Sequence, residues 1–367
     1  MNFLHVFLLI QLLSVVLMLA PQAASAQEVI PLNWHDRIEK SFDLDSPPTI
    51  QIWNERIVGS SEPHRTSYFV CKSDSDPQFG ACATKPEWAA SGSTSVELLF
   101  IETRSNAQQK LVVQGNRRAA GRRYKLHTGI FGGGNLSASL WVDASELRKL
   151  PFGGIWNATL KFNQGNWRRS DTLVVAEPTV EFTLHVTDTK NVQIYLPDHS
   201  TTTPTVDLGL SQPNGRDSRT TGRRSIDMCL YDGFGSNSSW FDVTLKDDLG
   251  ALRRKPGSFS VVRHGTSGEF HDRIDYGVSY LHEGQQKALN NGETIRLSGG
   301  SGTGLRSVHL PNILVAVMCK PMPLTLETPE FNAKDKRAGS YSGKLRIISR
   351  RRRKACSHCC GPHRDCR

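Results

Sequence analysis

The sequence predicts an all-β protein built as two antiparallel β-sandwiches in series, and three observations carry that reading. Apolar and polar residues alternate with period two over most of the chain: in "WNATLKFN", Trp156, Ala158, Leu160 and Phe162 face one way while Asn157, Thr159, Lys161 and Asn163 face the other. Apolar stretches with a helical period are nearly absent. The chain has 367 residues, a length that fits two domains of about 100–200 residues each.

The elements follow in order. Residues 3–20, "FLHVFLLIQLLSVVLMLA", contain no charged residue, and Ala24-Ser25-Ala26 is a small-x-small cleavage site before Gln27. Residues 1–26 therefore read as a secretory signal peptide. In an exported chain the eight cysteines suggest disulfides. Four lie in the body, and we expect Cys71–Cys82 and Cys229–Cys319, because each pair falls within one half. Strand patterns recur in "SVELLFIE", "KLVVQ", "SASLWV", "VEFTLHVT", "TVDLGL", "SIDMCLY" and "FDVTLK". "DASELRKL" has room for one or two helical turns, capped by Asp143 or Ser145. "NVQIYLP" ends one strand and "DHSTTTPT" follows as a polar linker. The expected division is thus a first domain over 27–198, a linker over 199–204 and a second domain from 205.

Charge excludes one class of partner. Residues 350–367 hold seven basic residues and one acid, Asp365, so +6 of the formal +10 sits there and only +4 is left for everything before it. A body so close to neutral does not point to nucleic acid. Catalysis has no supporting constellation. "HGTSGEF", "GGSGTG" and "FGGGN" are Gly-rich turns without the context of a nucleophile elbow or phosphate loop. His185 sits on the polar face of its strand as a solvent-facing residue. No cofactor or metal is called for, and the protein is expected not to be an enzyme.

Two arginine clusters stand out in the first half. "GNRRAAGRRYK" gathers Arg117, Arg118, Arg122 and Arg123 and reads first as a solvated basic loop. "NWRRSDT" sets Arg168, Arg169 and Ser170 beside Trp167, and guanidiniums next to an aromatic suit a ligand that carries a carboxylate.

"ASELRKLPFGGIWNATLKFN", "NVQIYLP" and "RRSIDMCLYDGFGSNSSWFDVTLKDD" resemble the CblD/CfaE family of fimbrial tip adhesins, and the likeness runs from about residue 68 to residue 348. The resemblance implies an N-terminal adhesin domain over 27–198 and an immunoglobulin-like pilin domain over 205–348. The pilin fold lacks its last strand and is completed by a donor strand. The implied partners are a periplasmic chaperone, an outer-membrane usher, a major pilin that donates the strand, and a host glycan or glycoprotein receptor. The implied route is export through the periplasm to the fimbrial tip at the cell surface. The family's basic receptor pocket maps onto Arg168 and Arg169, with Arg65 in "HRTSYFVC" as a further arginine and Ser170 where the family has an aromatic. An anionic, sialylated glycan is the expected ligand. The alternative is a structural minor pilin that starts assembly and binds no receptor of its own.

The tail departs from the family, which ends its last strand with a pattern like I-x-F-T-P-S-S. Here "GKLRIISRRRRKACSHCCGPHRDCR" follows. Loss of one T from codons for Ile-Phe-Thr-Pro-Ser-Ser-stop produces Ile-Ser-Arg-Arg-Arg-Arg-Lys-Ala, which matches residues 348–355. Residues 349–367 are therefore expected to be out-of-frame translation. Cys356, Cys359, Cys360 and Cys366 with His358 and His363 fit zinc spacings only loosely.

Overall fold

The computed structural model describes residues 34–58, 66–119, 121–129, 137–168, 171–211, 219–250, 252–282, 284–299 and 304–352. The signal-peptide segment, Arg65, Arg169, Ser170 and the cysteine-rich end of the tail lie outside the described residues. Among those described, no helix is long and apolar enough to cross a membrane.

Alternation does set the first domain. Its strands are β1 (His35–Asp43), β2 (Ile50–Ile57), β3 (Thr66–Cys71), β4 (Glu87–Trp88), β5 (Thr94–Glu102), β6 (Gln108–Ala119), β7 (Arg122–Tyr124), β8 (Thr128–Gly129), β9 (Ser137–Val142), β10 (Gly154–Arg168), β11 (Asp171–Ala176) and β12 (Thr179–Thr187). One sheet runs β1-β12-β10-β5-β6-β9-β2, with β3 and β11 on the far half of β10 and β7 on β6. The sheet curls until its two edges meet through side chains. Asp36 on β1 accepts hydrogen bonds from Trp53 Nε1 at 2.8 Å and Arg56 Nη1 at 2.7 Å, both on β2. Inside, Trp34 stacks on Trp53 with centroids 5.1 Å apart, and Phe69 and Phe162 complete the aromatic cluster. Burial of such side chains stabilises by about 1.5–3 kcal/mol each. The helical turn α1 (Ala144–Leu147) is capped by Asp143 rather than Ser145. The Asp143 carboxylate accepts from Trp141 Nε1 instead of from a helix amide.

The second domain follows the same rule with more breaks. Its strands are β13 (Gln193–Tyr195), β14 (Leu210–Ser211), β15 (Arg219–Ile226), β16 (Cys229–Tyr231), β17 (Trp240–Asp247), β18 (Phe259–Arg263), β19 (Arg273–His282), β20 (Gln285–Leu289), β21 (Thr294–Ser298), β22 (Arg306–Val308), β23 (Val317–Pro321), β24 (Leu324–Glu327), β25 (Phe331–Asn332), β26 (Tyr341–Ser342) and β27 (Leu345–Arg352). One face orders β14-β15-β24-β19-β18-β26, the other β21-β17-β27, and a third sheet runs β13-β16-β23-β22. "SIDMCLY" is not one strand: it splits at Asp227-Met228, so that Ile226 belongs to one sheet and Cys229 to another. "TVDLGL" keeps its alternation, with Val206 and Leu208 half-buried, but only Leu210 and Ser211 pair. Both expected disulfides are present, Cys71–Cys82 and Cys229–Cys319.

The join between the halves differs from the expected polar linker. β13, read as the end of the first domain, pairs with β16 of the second. Cys229, Tyr231, Leu310, Ile313, Val317 and Cys319 belong to the same apolar cluster as the first domain's core. The linker's polarity is real, but residues 201–203 run over the exposed surface, while the halves meet through buried apolar side chains and closely packed backbone.

Candidate functional site

Two places in the molecule have more structure than packing alone requires. The first is the pole of the first domain where β10 ends. The clean alternation reaches Phe162 and then continues with polar residues at the inward positions. Gln164 and Asn166 are 0% exposed. Trp34 Nε1 donates to Gln164 Oε1 at 3.2 Å, Gln164 Nε2 donates to Ser67 Oγ at 3.4 Å, and Ser67 Oγ donates to Asn166 Oδ1 at 3.3 Å. Buried polar groups that satisfy one another hold a single arrangement. The strand is thus longer than the alternation alone implied, running through Trp167 to Arg168, which pairs with Asp171.

Glycines let aromatic rings lie on this backbone. A Cβ on Gly129 would fall 2.3 Å from Trp167 Cδ2, and one on Gly165 2.1 Å from Tyr68 Cζ. Gly129 pairs with Trp88 across the short parallel contact of β4 and β8. Arg117 enters the same region from β6. It is 2% exposed and its Nη1 donates to the Thr128 carbonyl at 2.6 Å. Its Nε and Nη2, together with Trp167 Nε1 and His127 Nδ1, have no hydrogen-bond partner among the described residues. Burial pushes the Arg117 pKa down to about 10. Burial also lowers that of His127, against the opposing effect of its 3.4 Å contact with Glu87.

The "GNRRAAGRRYK" cluster is therefore not a uniformly solvated loop. It forms the β6–β7 hairpin. Arg118, with Glu55 at 2.6 Å, and Arg122 and Arg123 are exposed, whereas Arg117 turns into the core. The signal was available: Leu111, Val113 and Gly115 alternate inward, and Arg117 is the next residue in that phase. Of the receptor residues expected from sequence, Arg168 lies at the last position of β10. Arg65, Arg169 and Ser170 are outside the described residues. His185 is half-buried and meets Glu39 at 3.1 Å across β12 and β1, rather than facing open solvent.

The second place is the edge of β27. This strand pairs with β17 in unbroken register from Leu345↔Asp247 to Arg352↔Trp240. No described strand pairs with its other edge. Half-buried Leu345 and Ile347, with Val206, Leu208 and Val261, pack on the second domain's core. Main-chain groups along such an edge are ready to receive another strand. Past Ile347 the register positions in the same phase are Ser349 and Arg351, opposite Val243 and Phe241, which are 0% and 1% exposed. No group of three or more His, Cys, Asp or Glu among the described residues is placed to hold a metal.

Among the described residues the chain thus forms two β-domains in tandem, with Cys71–Cys82 in the first, Cys229–Cys319 in the second and an unpaired edge on β27. Comparison with known proteins gives the family. Residues 23–189 match the first domain of CfaE, the E component of CFA/I fimbriae, and residues 192–352 match its second domain. CfaE of Escherichia coli is 30% identical over 323 residues, covering 82% of this chain and 86% of that protein. The crystal structure of CfaE, the adhesive subunit of CFA/I fimbria of enterotoxigenic Escherichia coli, superposes with a TM-score of 0.73 at 27% identity, covering 88% of this chain and 93% of that one. A chaperone–tip adhesin complex of CFA/I fimbriae gives a TM-score of 0.64 at 26% identity, covering 88% and 98%. The chain belongs to the CfaE family of fimbrial proteins.

Proposed function

We propose that this protein is a fimbrial tip adhesin, exported through the periplasm, whose first domain binds a host-surface glycan and whose second domain starts pilus assembly by accepting a donor strand. The observation that carries the assembly role is the edge of β27, which no described strand pairs, beside half-buried Leu345 and Ile347. An added strand would exchange main-chain hydrogen bonds along that edge and place alternate side chains against Val206 and Leu208. A periplasmic chaperone would occupy the edge first, then the extension of a major pilin delivered at the outer-membrane usher. For the adhesive role the support is the family, together with Arg168 at the end of β10 beside Asp171. Arg169, Ser170 and Arg65 complete the proposed receptor contact, and an anionic glycan suits their charge.

The test uses the full exported chain on host cells before and after sialidase treatment, with Arg168→Ala alongside. Adhesion lost under both perturbations supports the reading. A folded wild-type chain that binds no cells would leave a structural minor pilin in its place. Assembly is tested apart from adhesion: Ile347→Asp, which puts a charge on the inward face of the open edge, should abolish co-purification with the chaperone. Retained co-purification would refute strand addition at this edge.

A further inference from the structure

The guanidinium of Arg117 is 2% exposed and makes one hydrogen bond, from Nη1 to the Thr128 carbonyl at 2.6 Å. Among the described residues no carboxylate pairs with it, and burial is the cause of its lowered pKa of about 10. At neutral pH the group is therefore still charged, in a place where water screens it poorly. Its Nε and Nη2 have no partner among the described residues, and neither has Trp167 Nε1. These unpaired donors are anchored one residue apart on β8. Arg117 is held at the Thr128 carbonyl, and the Trp167 ring lies on Gly129, with Cδ2 2.3 Å from where a Cβ would stand. The place is closed from outside. Leu126 and Thr128 are 0% exposed, Gly129 is buried, and the Thr128 hydroxyl is already donated to the Ala90 carbonyl at 2.7 Å. His127 adds no second charge, because burial lowers its pKa and keeps the imidazole neutral.

A buried polar group needs a partner, and a buried charge left uncompensated is strongly destabilising. A water molecule would accept from these N–H groups but leave the positive charge unbalanced. An anion does both, and a closed site admits only a small one. We propose that Arg117 and Trp167 hold a monovalent anion of chloride's size inside the first domain, as a structural ion that the fold takes up and keeps. Arg117 Nε and Nη2 and Trp167 Nε1 donate to it, and its charge offsets that of the guanidinium. The inference is separate from the receptor reading, because no surface ligand reaches these atoms.

The test follows melting of the full exported chain at constant ionic strength while sodium chloride replaces sodium gluconate, whose bulky anion the closed site excludes. The wild-type melting temperature should rise with the logarithm of chloride concentration, by about 3–6 °C for each tenfold step above half-saturation. Trp167→Phe keeps an aromatic ring and removes the donor, so half-saturation should move to about tenfold higher chloride or more. Arg117→Met removes the charge and should abolish the rise. Crystals grown in bromide should show an anomalous-scattering peak beside the Arg117 guanidinium. A wild-type melting temperature that ignores chloride overturns the proposal, and a bromide peak in that case is an adventitious ion only. Water-like density without anomalous signal at Arg117 overturns it as well, and so does a chloride rise that survives in Arg117→Met. If Arg117→Met does not fold, the wild-type rise, the Trp167→Phe shift and the bromide peak decide together, and loss of any one of them refutes the site.

Discussion

Gly153→Ala should force the two domains apart. A Cβ at Gly153 would lie 2.2 Å from the Gly233 carbonyl oxygen, 2.7 Å from Asp188 N and 2.8 Å from the Val186 carbonyl oxygen. All three are backbone atoms, so no side-chain rotation relieves the contact. Gly233 in turn has a φ of +62° and faces the Asp188 carbonyl oxygen at 2.1 Å from its own would-be Cβ. The two domains therefore meet glycine to glycine, held by the 2.7 Å hydrogen bond from Asp188 N to the Gly233 carbonyl. Beside it, Arg104 Nε donates to Asn237 Oδ1 at 2.7 Å. Overpacking costs about 1–3 kcal/mol, and each broken hydrogen bond adds about 1 kcal/mol. At about 2–4 °C per kcal/mol for a domain of this size, the melting temperature should fall by about 5–15 °C. Calorimetry reads the shift, and hydrogen exchange at the amides of Phe234 and Ser236 should speed up. Gly250→Ala, where a Cβ meets nothing within 4 Å, is the control. Unchanged melting and exchange in Gly153→Ala would show that the close contact does not hold the domains, and the reasoning would fall.

Two further outcomes follow from the second domain. The Asp247 side chain is 2% exposed and receives Arg254 Nη2 at 3.0 Å and Ser260 N at 3.1 Å. Burial raises its pKa, but the hydrogen bonds and charge of Arg254 outweigh it, so the net shift is downward from 3.8. Its contribution is therefore present above the ordinary carboxylate pKa and lost as pH falls through the lower folded value. Asp247→Asn should cost about 3 kcal/mol by urea unfolding at neutral pH and flatten the acid limb of stability; an unchanged acid limb would contradict it. At the edge of β27, Ser349→Phe places an apolar residue in the inward phase opposite Val243. It should raise the second domain's melting temperature, and no rise would argue that the strand end contributes nothing.

How much of this was legible depends on the length scale of the signal. Period-two alternation needs only neighbours along one strand, so the all-β class and most strands could be read directly, and the disulfide partners followed from each cysteine pair falling within one half of the chain. Arg117 was hidden because its charge outweighed its phase: it continues the inward series of Leu111, Val113 and Gly115. The shared core around Tyr231 and Val317 was hidden for a different reason. A residue that faces a neighbouring domain and one that faces its own core have the same alternation, so only the three-dimensional arrangement separates them.

The tail shows that same phase working in the opposite direction. Leu345 and Ile347 keep the inward series, and the next positions in that phase are Ser349 and Arg351. A strand that covers Val243 and Phe241 has no physical use for a guanidinium at such a position. If the tail is the frameshift proposed from the sequence, position 349 would be phenylalanine and position 351 proline, which would continue the apolar face for one more residue and then end the ladder. The backbone register from Leu345 to Arg352 thus belongs to the fold, while Ser349 and Arg351 do not continue the apolar series of Leu345 and Ile347. Resequencing the gene decides between the two: codons for Arg350–Arg353 without the single-base relation to Thr-Pro-Ser-Ser would mean that the basic end is native, and that β27 ends with an arginine in the inward phase for a reason of its own.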